Sequence, residues 1–372
     1  KQLTQEVGGG LTPRMVRHYH KLGLLPEAER SEANYRLYTD QNVQYLRRIV
    51  ALKSQGFQLD HIQKLLANNP EPDNLDNLTA QLQQQYQSVI EQLSRLRKTA
   101  SALEGLLGRD KHCQHIQAEA IAQLQHLEIE SSLGTKKLEK LWEGLDAAVE
   151  AHPEDFDESL QQLLPDLSNK NEIERDLLSS LVLASGDVSL VDFIRLSQSA
   201  ISPKGMRGAI ASARNALKNN CEIVVDIPPV SAALDHTRAT HLGAKVNILI
   251  NDPHVCTASE AENQFWQHQE WREGLKKLTP GCILIIGYAP SVLISALKLV
   301  EQKQLQPSLI IGMPIGFSHA PAAKRRLMAS GVDYITTVGT IGGGLLAAVA
   351  LNSLMESLIE KPDCHCYLGK GD

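Results

Sequence analysis

Two thiols and an imidazole stand side by side near the end of the sequence, at Cys364, His365 and Cys366 in the stretch DCHCYLGKGD. Thiolate and imidazole groups are ligands that late first-row divalent metals bind well. Neighbouring side chains diverge in an extended chain, so three consecutive residues cannot surround one ion. The stretch therefore predicts a metal site that takes further ligands from elsewhere, and a terminal segment with an incidental Cys-His-Cys sequence is the alternative.

A second group of the same chemistry lies in the stretch DKHCQH, with His112, Cys113 and His115. One thiol and two imidazoles form a partial coordination set, and this group or a histidine of another domain is a candidate for the missing ligands. The alternative is a polar helix end with solvated side chains. Ligand type does not identify the metal, because copper and zinc bind such groups more tightly than cobalt does.

The sequence is long enough for two or three domains, since 42% of its 372 residues are hydrophobic. The net charge is −6, but its distribution is uneven. Residues 1–70 carry ten Lys and Arg against six Asp and Glu, and the rest of the chain has a net charge of −10. The basic end of the chain is therefore the N-terminal one.

Six cysteines in a chain of this length do not indicate a disulfide framework, and no secretory signal pattern opens the sequence. We therefore expect a cytoplasmic protein with free thiols. The longest uncharged stretch, Cys282–Leu297, is interrupted by Gly287 and Pro290 and is too short to span a bilayer. No membrane segment is expected.

The first seventy residues have the signals of several short helices. Thr12 is a good N-cap, Pro13 suits the first turn of a helix, and Gly23 ends that helix. The stretch NYRLY is β-like, and Thr39 and Leu59 open two further amphipathic helices. This order of helix, turn, helix, ribbon, helix and helix indicates a winged helix-turn-helix domain over residues 1–70.

The same residues resemble the MerR-type transcription regulators, whose "IRYYE..GLL", "YRLY" and "LGFSLEEI" motifs read MVRHYHKLGLL, NYRLY and QGFQLDHI here. The resemblance implies binding to double-stranded DNA, with Arg17 and Tyr19 on phosphates and Arg14 and His18 near base edges. His18 and His20 replace the family's usual Tyr and Glu, which leaves sequence specificity open. A basic helical domain without a nucleic-acid role is the alternative. The full set of expected DNA contacts is Thr12, Arg14, Arg17, His18, Tyr19, Lys21, Tyr35, Arg36 and Tyr38.

Apolar residues repeat at gaps of three, four and seven between Leu75 and Leu107. This pattern predicts a coiled-coil dimerisation helix over residues 71–110, followed by a helical connector over residues 111–152. The resemblance implies the same arrangement, because MerR-type regulators form homodimers through a long antiparallel helix pair.

Beyond Ser202, short β-branched runs alternate with helical stretches, as in EIVVDI, KVNILI, CILIIG, SLIIGM and YITTVG. Such runs predict an α/β domain with a parallel sheet, here placed at residues 153–360. Ligands bind at the carboxyl ends of parallel strands, and exposed N–H groups there can hold an anion. The spacing of the glycines fits neither a dinucleotide fingerprint nor a phosphate loop. The candidate pocket residues are Gly287, Tyr288, Gly312, Gly316, Gly342, Gly343 and Gly344.

This domain resembles precorrin-8X methylmutase, whose "IIHATGD", "GNAPTAL" and "GxPVGFVGA" motifs read LVLASGD, GYAPSVL and GMPIGFSHA here. The resemblance places the enzyme's acid-base histidine on Leu183, which has no proton to exchange. Other polar residues of the family fall on Tyr288, Val338 and Thr340. We therefore expect no catalysis. A receptor for a corrin precursor and a dimerising scaffold without a ligand both remain open.

The sequence thus predicts a multidomain protein: a winged helix-turn-helix domain, a coiled-coil helix, a parallel-sheet α/β domain, and a metal-binding tail over residues 361–372. The combination resembles the cobalt-responsive activators of cobalt efflux in cyanobacteria. That resemblance implies Co(II) as effector, with a corrin precursor or other tetrapyrrole as a possible second ligand. It also implies promoter DNA and RNA polymerase as partners. The alternatives are a regulator that senses a corrin precursor without metal, and an active isomerase with a DNA-binding head.

Overall fold

The computed structural model describes most of the N-terminal seventy residues and nearly all of the C-terminal domain. The chain divides into two compact units, residues 1–104 and 105–372. The described residues are 2–8, 10–25, 28–31, 36–54, 57, 59–66, 83, 86–87, 89–93, 95–97, 99, 154–198, 200–202 and 205–364.

The first unit is built from short helices around one small core. Thr12 begins α2 as the sequence predicts, because its hydroxyl accepts a hydrogen bond from the Met15 N–H at 3.2 Å. An antiparallel bridge joins Arg30 to Arg36, where the sequence predicts the wing. The core is made of Leu11, Val16, Tyr19, Leu24, Leu25, Leu46, Ile49 and Ile62. The helices are α1 (Gln2–Val7), α2 (Pro13–Lys21), α3 (Asp40–Ser54) and α4 (Leu59–Leu66).

The stretch expected to form the coiled coil is described at only part of its positions. All the described positions between 83 and 99 are helical. Val89, Leu93 and Leu96 belong to the predicted apolar seam, and they are 51%, 58% and 67% exposed in the single chain. Coiled-coil pairing stays a prediction, and residues 100–153 lie outside the described part of the chain.

The second unit alternates strands and helices, as the sequence predicts. Its helices are α5 (Phe156–Leu163), α6 (Glu172–Ser185), α7 (Ala209–Lys218), α8 (Pro228–Ala232), α9 (His236–His241), α10 (Ala258–Gln267), α11 (Gln269–Lys276), α12 (Pro290–Glu301), α13 (His319–Ala329) and α14 (Gly344–Glu360), with a 3₁₀ helix over Val188–Phe193. Its strands are β1 (Ile194–Leu196), β2 (Ala200–Ser202), β3 (Gly205–Arg207), β4 (Glu222–Val225), β5 (Lys245–Ile248), β6 (Ile283–Ile286), β7 (Leu309–Gly312) and β8 (Tyr334–Thr337).

Within the described residues, six strands form one sheet in the order β1-β8-β7-β6-β4-β5. The five strands that the sequence predicts pair in parallel, whereas β1 joins the edge antiparallel to β8. A separate antiparallel hairpin joins β2 to β3. The predicted parallel sheet is confirmed for β4 to β8, and β1 makes the whole sheet mixed. Strands of three residues such as β1 are too short to carry a readable hydrophobic pattern.

The interior strands lie at the centre of the core. All residues of β6 and β7 are buried, which explains their uninterrupted apolar sequences. The last helix, α14, contacts both of these strands and also packs along α6. Ion pairs join Lys361, just after α14, to Glu172 and Asp176 near the start of α6. The two helices are therefore antiparallel, and the last turn of α6 lies toward the first turn of α14.

In the described parts of the chain, none of the helices combines the length and apolar character that crossing a membrane requires.

Candidate functional site

The surface of α2 carries most of the side chains expected to contact DNA. Arg14, Arg17, His18 and Lys21 are all exposed, so they form a cationic face on this helix. Tyr19 differs from the expectation, because it is only 3% exposed and packs in the core of the unit. Burial also raises the pKa of its hydroxyl. In this structure Tyr19 lies on the buried side of α2, where it packs against the core, and it is not part of the cationic face.

The wing is tied to α2 by a contact that the sequence did not suggest. The His20 Nε2 atom lies 3.1 Å from the Tyr38 hydroxyl, and the two rings are 5.8 Å apart. The His20 side chain therefore connects α2 to the wing. Arg36 is exposed beside this contact, whereas Tyr35 lies outside the described residues.

At the carboxyl edge of the sheet, a buried carboxylate organises the loop after β6. Asp226 Oδ2 accepts hydrogen bonds from the N–H groups of Gly287, Tyr288 and Ala289 at 3.0, 2.7 and 3.1 Å. Its Oδ1 accepts a fourth bond from Ile227 N–H at 3.1 Å. Burial raises the pKa of Asp226 to about 6, and the four N–H donors offset part of that rise.

This arrangement corrects the expectation that the glycine loop after β6 holds a ligand anion on its N–H groups. Those three donors already bind the protein's own carboxylate. The Gly343 N–H likewise donates to the Met313 carbonyl at 2.8 Å. These four backbone donors therefore serve the fold and are not available to a ligand.

The glycines themselves allow backbone segments to touch. A Cβ atom on Gly287 would lie 2.8 Å from the Gly344 nitrogen, and one on Gly344 would collide with the Tyr288 ring. A Cβ atom on Gly312 would lie 2.7 Å from a methyl of Leu327. Gly287, Gly312 and Gly344 are buried packing positions, and a Cβ atom on the half-buried Gly342 would also collide with the Met313 carbonyl. Gly316 and Gly343 keep part of their surface open.

A buried lysine fixes the loop between β8 and α14. Lys324 is fully buried, and its ammonium donates to the Thr337 hydroxyl at 3.0 Å and to the Gly339 carbonyl at 3.2 Å. It also donates to the Ile341 carbonyl. Burial lowers the pKa of Lys324 to about 8. The sequence alone does not reveal Asp226 or Lys324, because a lone charged residue after a strand or within a helix looks like an ordinary surface residue.

Large apolar side chains are exposed on and near these loops, beside exposed polar residues such as His319 and Thr340. Leu183 is 48% exposed on the last turn of α6, and Phe317, after β7, is 93% exposed. Ile315, Ile341 and Leu345 are also exposed. We call these five residues the apolar rim. A rim of this composition suits the hydrocarbon face of a ligand or another protein surface better than it suits a carboxylate.

A cavity of about 830 Å³ lies away from these loops, between the start of α6 and the edge strand β1. Lys170, Glu174 and Arg195 are among its lining residues. The Arg195 guanidinium donates to the Asp192 and Ile194 carbonyls at 2.8 and 2.7 Å, so it folds over the outer edge of β1. Covering an edge in this way blocks pairing with another strand.

Of the expected metal ligands, Cys364 is the one that falls within the described residues. It is half-buried and packs against the core of the second unit. His365, Cys366, His112, Cys113 and His115 lie outside the described part of the chain. Across the described residues, no three His, Cys, Asp or Glu side chains converge closely enough to hold an ion. The donor chemistry of the tail suits a late first-row metal, with Cys364 as one fixed point.

Two other thiols are poor candidates for metal ligands. Burial raises the pKa of Cys221 to about 11 and that of Cys282 to about 12. Burial therefore disfavours the thiolate form that a metal ligand needs.

Comparison with known proteins assigns both units. The family model described as "Precorrin-8X methylmutase" matches residues 156–357, and the one described as "MerR HTH family regulatory protein" matches residues 9–69. The cobalt-precorrin-8 methylmutase of Priestia megaterium is 28% identical over 39% of this chain, and the match covers 64% of that relative, slightly less than two thirds.

The N-terminal unit has relatives of a different kind. The HTH-type transcriptional activator TipA of Streptomyces coelicolor is 35% identical over 26% of this chain and 36% of its own length. The crystal structure of precorrin-8X methylmutase from Thermus thermophilus aligns with 55% of this chain and 96% of its own, at 26% identity and a TM-score of 0.43. The chain belongs to the precorrin-8X methylmutase family, and it carries a MerR-type helix-turn-helix domain ahead of the family's domain.

Proposed function

We propose that this protein is a homodimeric transcription regulator that binds promoter DNA through its MerR-type domain and responds to Co(II). The observation that carries the proposal is the union, in one chain, of an exposed cationic helix and a corrin-pathway domain. DNA affinity depends on cationic side chains that reach phosphates, and α2 presents four of its expected contacts on its surface.

The methylmutase-like domain acts in this proposal as the sensor and not as an enzyme. Leu183 stands where the resemblance places the acid-base histidine, and it is exposed at the apolar rim. A leucine cannot carry the proton that accompanies a methyl shift. The name of the relative from Priestia megaterium, cobalt-precorrin-8 methylmutase, supports the choice of cobalt in this proposal.

In this proposal the tail is the part of the chain that binds Co(II). A bound ion would supply a positive charge and a fixed coordination geometry at the end of the chain. Cys364, His365 and Cys366 would provide thiolate and imidazole donors, and His112, Cys113 and His115 are the candidates for the remaining positions. Metal that binds one shape of the dimer better than the other would shift the promoter DNA toward a geometry that RNA polymerase engages.

A Co(II) titration of the purified protein tests this function. We expect thiolate-to-cobalt charge-transfer absorbance in the near ultraviolet that disappears in the Cys364→Ser/Cys366→Ser double variant. We also expect Co(II) to change transcription from the cognate promoter in a purified polymerase system. Intact protein without those bands would contradict cobalt sensing by the tail.

A second candidate is an active isomerase with a regulatory head, and family membership over residues 156–357 favours it. Incubation of the purified protein with precorrin-8X separates the two functions. Turnover by the wild-type chain would support the isomerase, whereas turnover only after Leu183→His would support the sensor. A corrin precursor that alters DNA binding equally in wild type and in the double cysteine variant would instead indicate a tetrapyrrole sensor without a metal site.

A further inference from the structure

A fully buried arginine holds the end of the last helix. Arg214 lies on α7 and has no exposed surface. Its Nη1 donates to the Ser357 carbonyl at 2.7 Å and to the Ser357 hydroxyl at 3.1 Å. Ser357 belongs to the last turn of α14, and its carbonyl also accepts the Lys361 N–H at 3.1 Å. The guanidinium therefore places a positive charge at the negative end of the helix dipole.

The same guanidinium continues into the segment after the helix. Its Nη2 donates to the carbonyls of Lys361 and Pro362 at 2.9 and 3.1 Å, and a longer contact of 3.4 Å reaches the carbonyl of Cys364. The planar fork of an arginine suits several acceptors in fixed directions. One side chain thus orients the backbone from the end of α14 to the first cysteine of the tail.

Residues 361–364, which we call the tail root, are held from a second side as well. The Cys364 N–H donates to the Lys361 carbonyl at 3.1 Å and closes a turn. The Lys361 ammonium pairs with Glu172 at 2.7 Å and with Asp176 at 2.6 Å, both on α6. The tail root is therefore fastened to α7 through Arg214 and to α6 through Lys361.

The end of an α-helix is usually stabilised by fewer contacts than Arg214 and Lys361 make here. Water or a glycine cap satisfies the last carbonyls of most helices, and burying a charged guanidinium costs free energy that only several good hydrogen bonds offset. The acceptors that Arg214 binds lead directly to Cys364, whose side chain packs against the core. The arrangement fixes the place where the tail begins and not only the end of α14.

We infer that Arg214 is a positioning residue for Cys364, holding the tail root so that this thiol is a pre-organised first ligand of a divalent metal. The inference rests on the proposed function, in which the tail binds Co(II). A ligand that is already ordered loses less conformational entropy when the ion binds, so affinity rises without any new contact to the metal. Residues that orient a ligand commonly change metal affinity by about 10- to 100-fold when they are replaced.

The first test uses metal-free protein and iodoacetamide, with the labelled cysteines located by peptide mass. Arg214→Lys keeps the charge but loses the fork, so we expect Cys364 to be alkylated several-fold faster than in wild type. Exposed Cys256 serves as an internal reference whose rate stays constant. Arg238→Lys is the matched control, because Arg238 also bonds α14, through Glu356 at 2.9 Å, but not the tail root.

The second test is the absorbance titration with Co(II). Arg214→Lys is expected to need about tenfold more metal for half-saturation, with charge-transfer bands of unchanged position, while Arg238→Lys behaves as wild type. Lys361→Ala loosens the tail root from α6 without opening the core, so it should show the same changes in smaller size if Arg214→Lys fails to fold.

The outcomes distinguish cobalt binding by the tail from the positioning of Cys364 by Arg214. Wild type without charge-transfer bands would refute cobalt binding by the tail, and the alkylation rates would still decide whether Arg214 positions Cys364. Normal cobalt binding and normal Cys364 alkylation in both Arg214→Lys and Lys361→Ala would overturn the positioning role alone.

Discussion

Asp226 is a buried carboxylate whose partners are all backbone N–H groups of its own domain. Four donors surround it, and three of them come from a loop that lies more than sixty residues away in sequence. Removing the side chain would leave those donors buried without an acceptor, at a cost of about 1–3 kcal/mol for each unpaired group. This one residue therefore defines the shape of the loop after β6.

The titration of Asp226 should be visible in the stability of the protein. Burial raises its pKa from 3.8 to about 6, so the folded state keeps the proton to a higher pH than the unfolded chain does. The contribution of Asp226 to the free energy of unfolding is therefore full below about pH 4 and falls as the pH rises through 6. Between about pH 4 and pH 6, the free energy of unfolding of wild type should therefore fall by about 3 kcal/mol relative to that of Asp226→Asn.

Urea unfolding of both proteins at a series of pH values measures that difference. The comparison with Asp226→Asn cancels the other carboxyl groups, which titrate alike in both chains. A wild-type stability that rises relative to the variant over this interval would mean that the four hydrogen bonds outweigh the burial.

Lys324 should control the order of the loop between β8 and α14. Lys324→Met removes the donors to the Gly339 and Ile341 carbonyls and should lower stability by about 1–3 kcal/mol. Hydrogen exchange should accelerate in residues 338–343 before it changes elsewhere. Lys298→Met is the control, because Lys298 is an exposed lysine on α12. Equal exchange in the two variants would rule out this role for Lys324.

Among the helices and strands, α14 is the element that brings the site together. Its first residue touches the backbone at Gly287, its middle contacts β6 and β7, and its last turn is held by Arg214. One rigid helix therefore connects the glycine loops at the carboxyl edge of the sheet with the tail root.

The contact between α14 and the loop after β6 predicts a large effect of a small substitution. Gly287→Ala would push a methyl group into the Gly344 backbone, which cannot move without displacing α14. We expect a loss of about 1–3 kcal/mol in the free energy of unfolding. Gly274→Ala on α11 is the control, since its nearest neighbour is a Leu249 methyl at 3.2 Å and alanine favours a helix. A neutral Gly287→Ala would show that the two backbones do not touch.

Over the complete chain, charge is unevenly distributed between the N-terminal seventy residues and the rest. The first 70 residues are basic, and the rest of the chain has a net negative charge. DNA binding should therefore depend on a small number of side chains of α2, and the acidic unit should contribute little to affinity.

Arg17→Ala tests that view. Loss of one phosphate contact should weaken binding to any duplex and reduce the slope of log affinity against log salt by about 1. Fluorescence anisotropy with a mixed-sequence duplex at several salt concentrations measures both quantities. Arg325→Ala, which removes an exposed arginine of the second unit, is expected to leave the slope unchanged. Equal slopes for Arg17→Ala and wild type would place the DNA contacts elsewhere.

Local patterns in the sequence were enough to identify the helix capped by Thr12, the strands β4 to β8, and both families. The reason is that capping residues, apolar runs and glycine breaks act over a few neighbouring residues, so a short stretch contains the whole signal. Such signals also indicated that ligands belong at the carboxyl edge of a parallel sheet.

The partners of buried polar residues followed only from the packed fold. Asp226 meets its loop because β4 and β6 are neighbours, and Arg214 meets the tail root because α7 packs on α14. No local pattern encodes such contacts, since they depend on strand order and helix packing between residues far apart in the chain. For the same reason, only the fold shows that the Gly287 N–H is bound to Asp226 and the Gly343 N–H to the Met313 carbonyl.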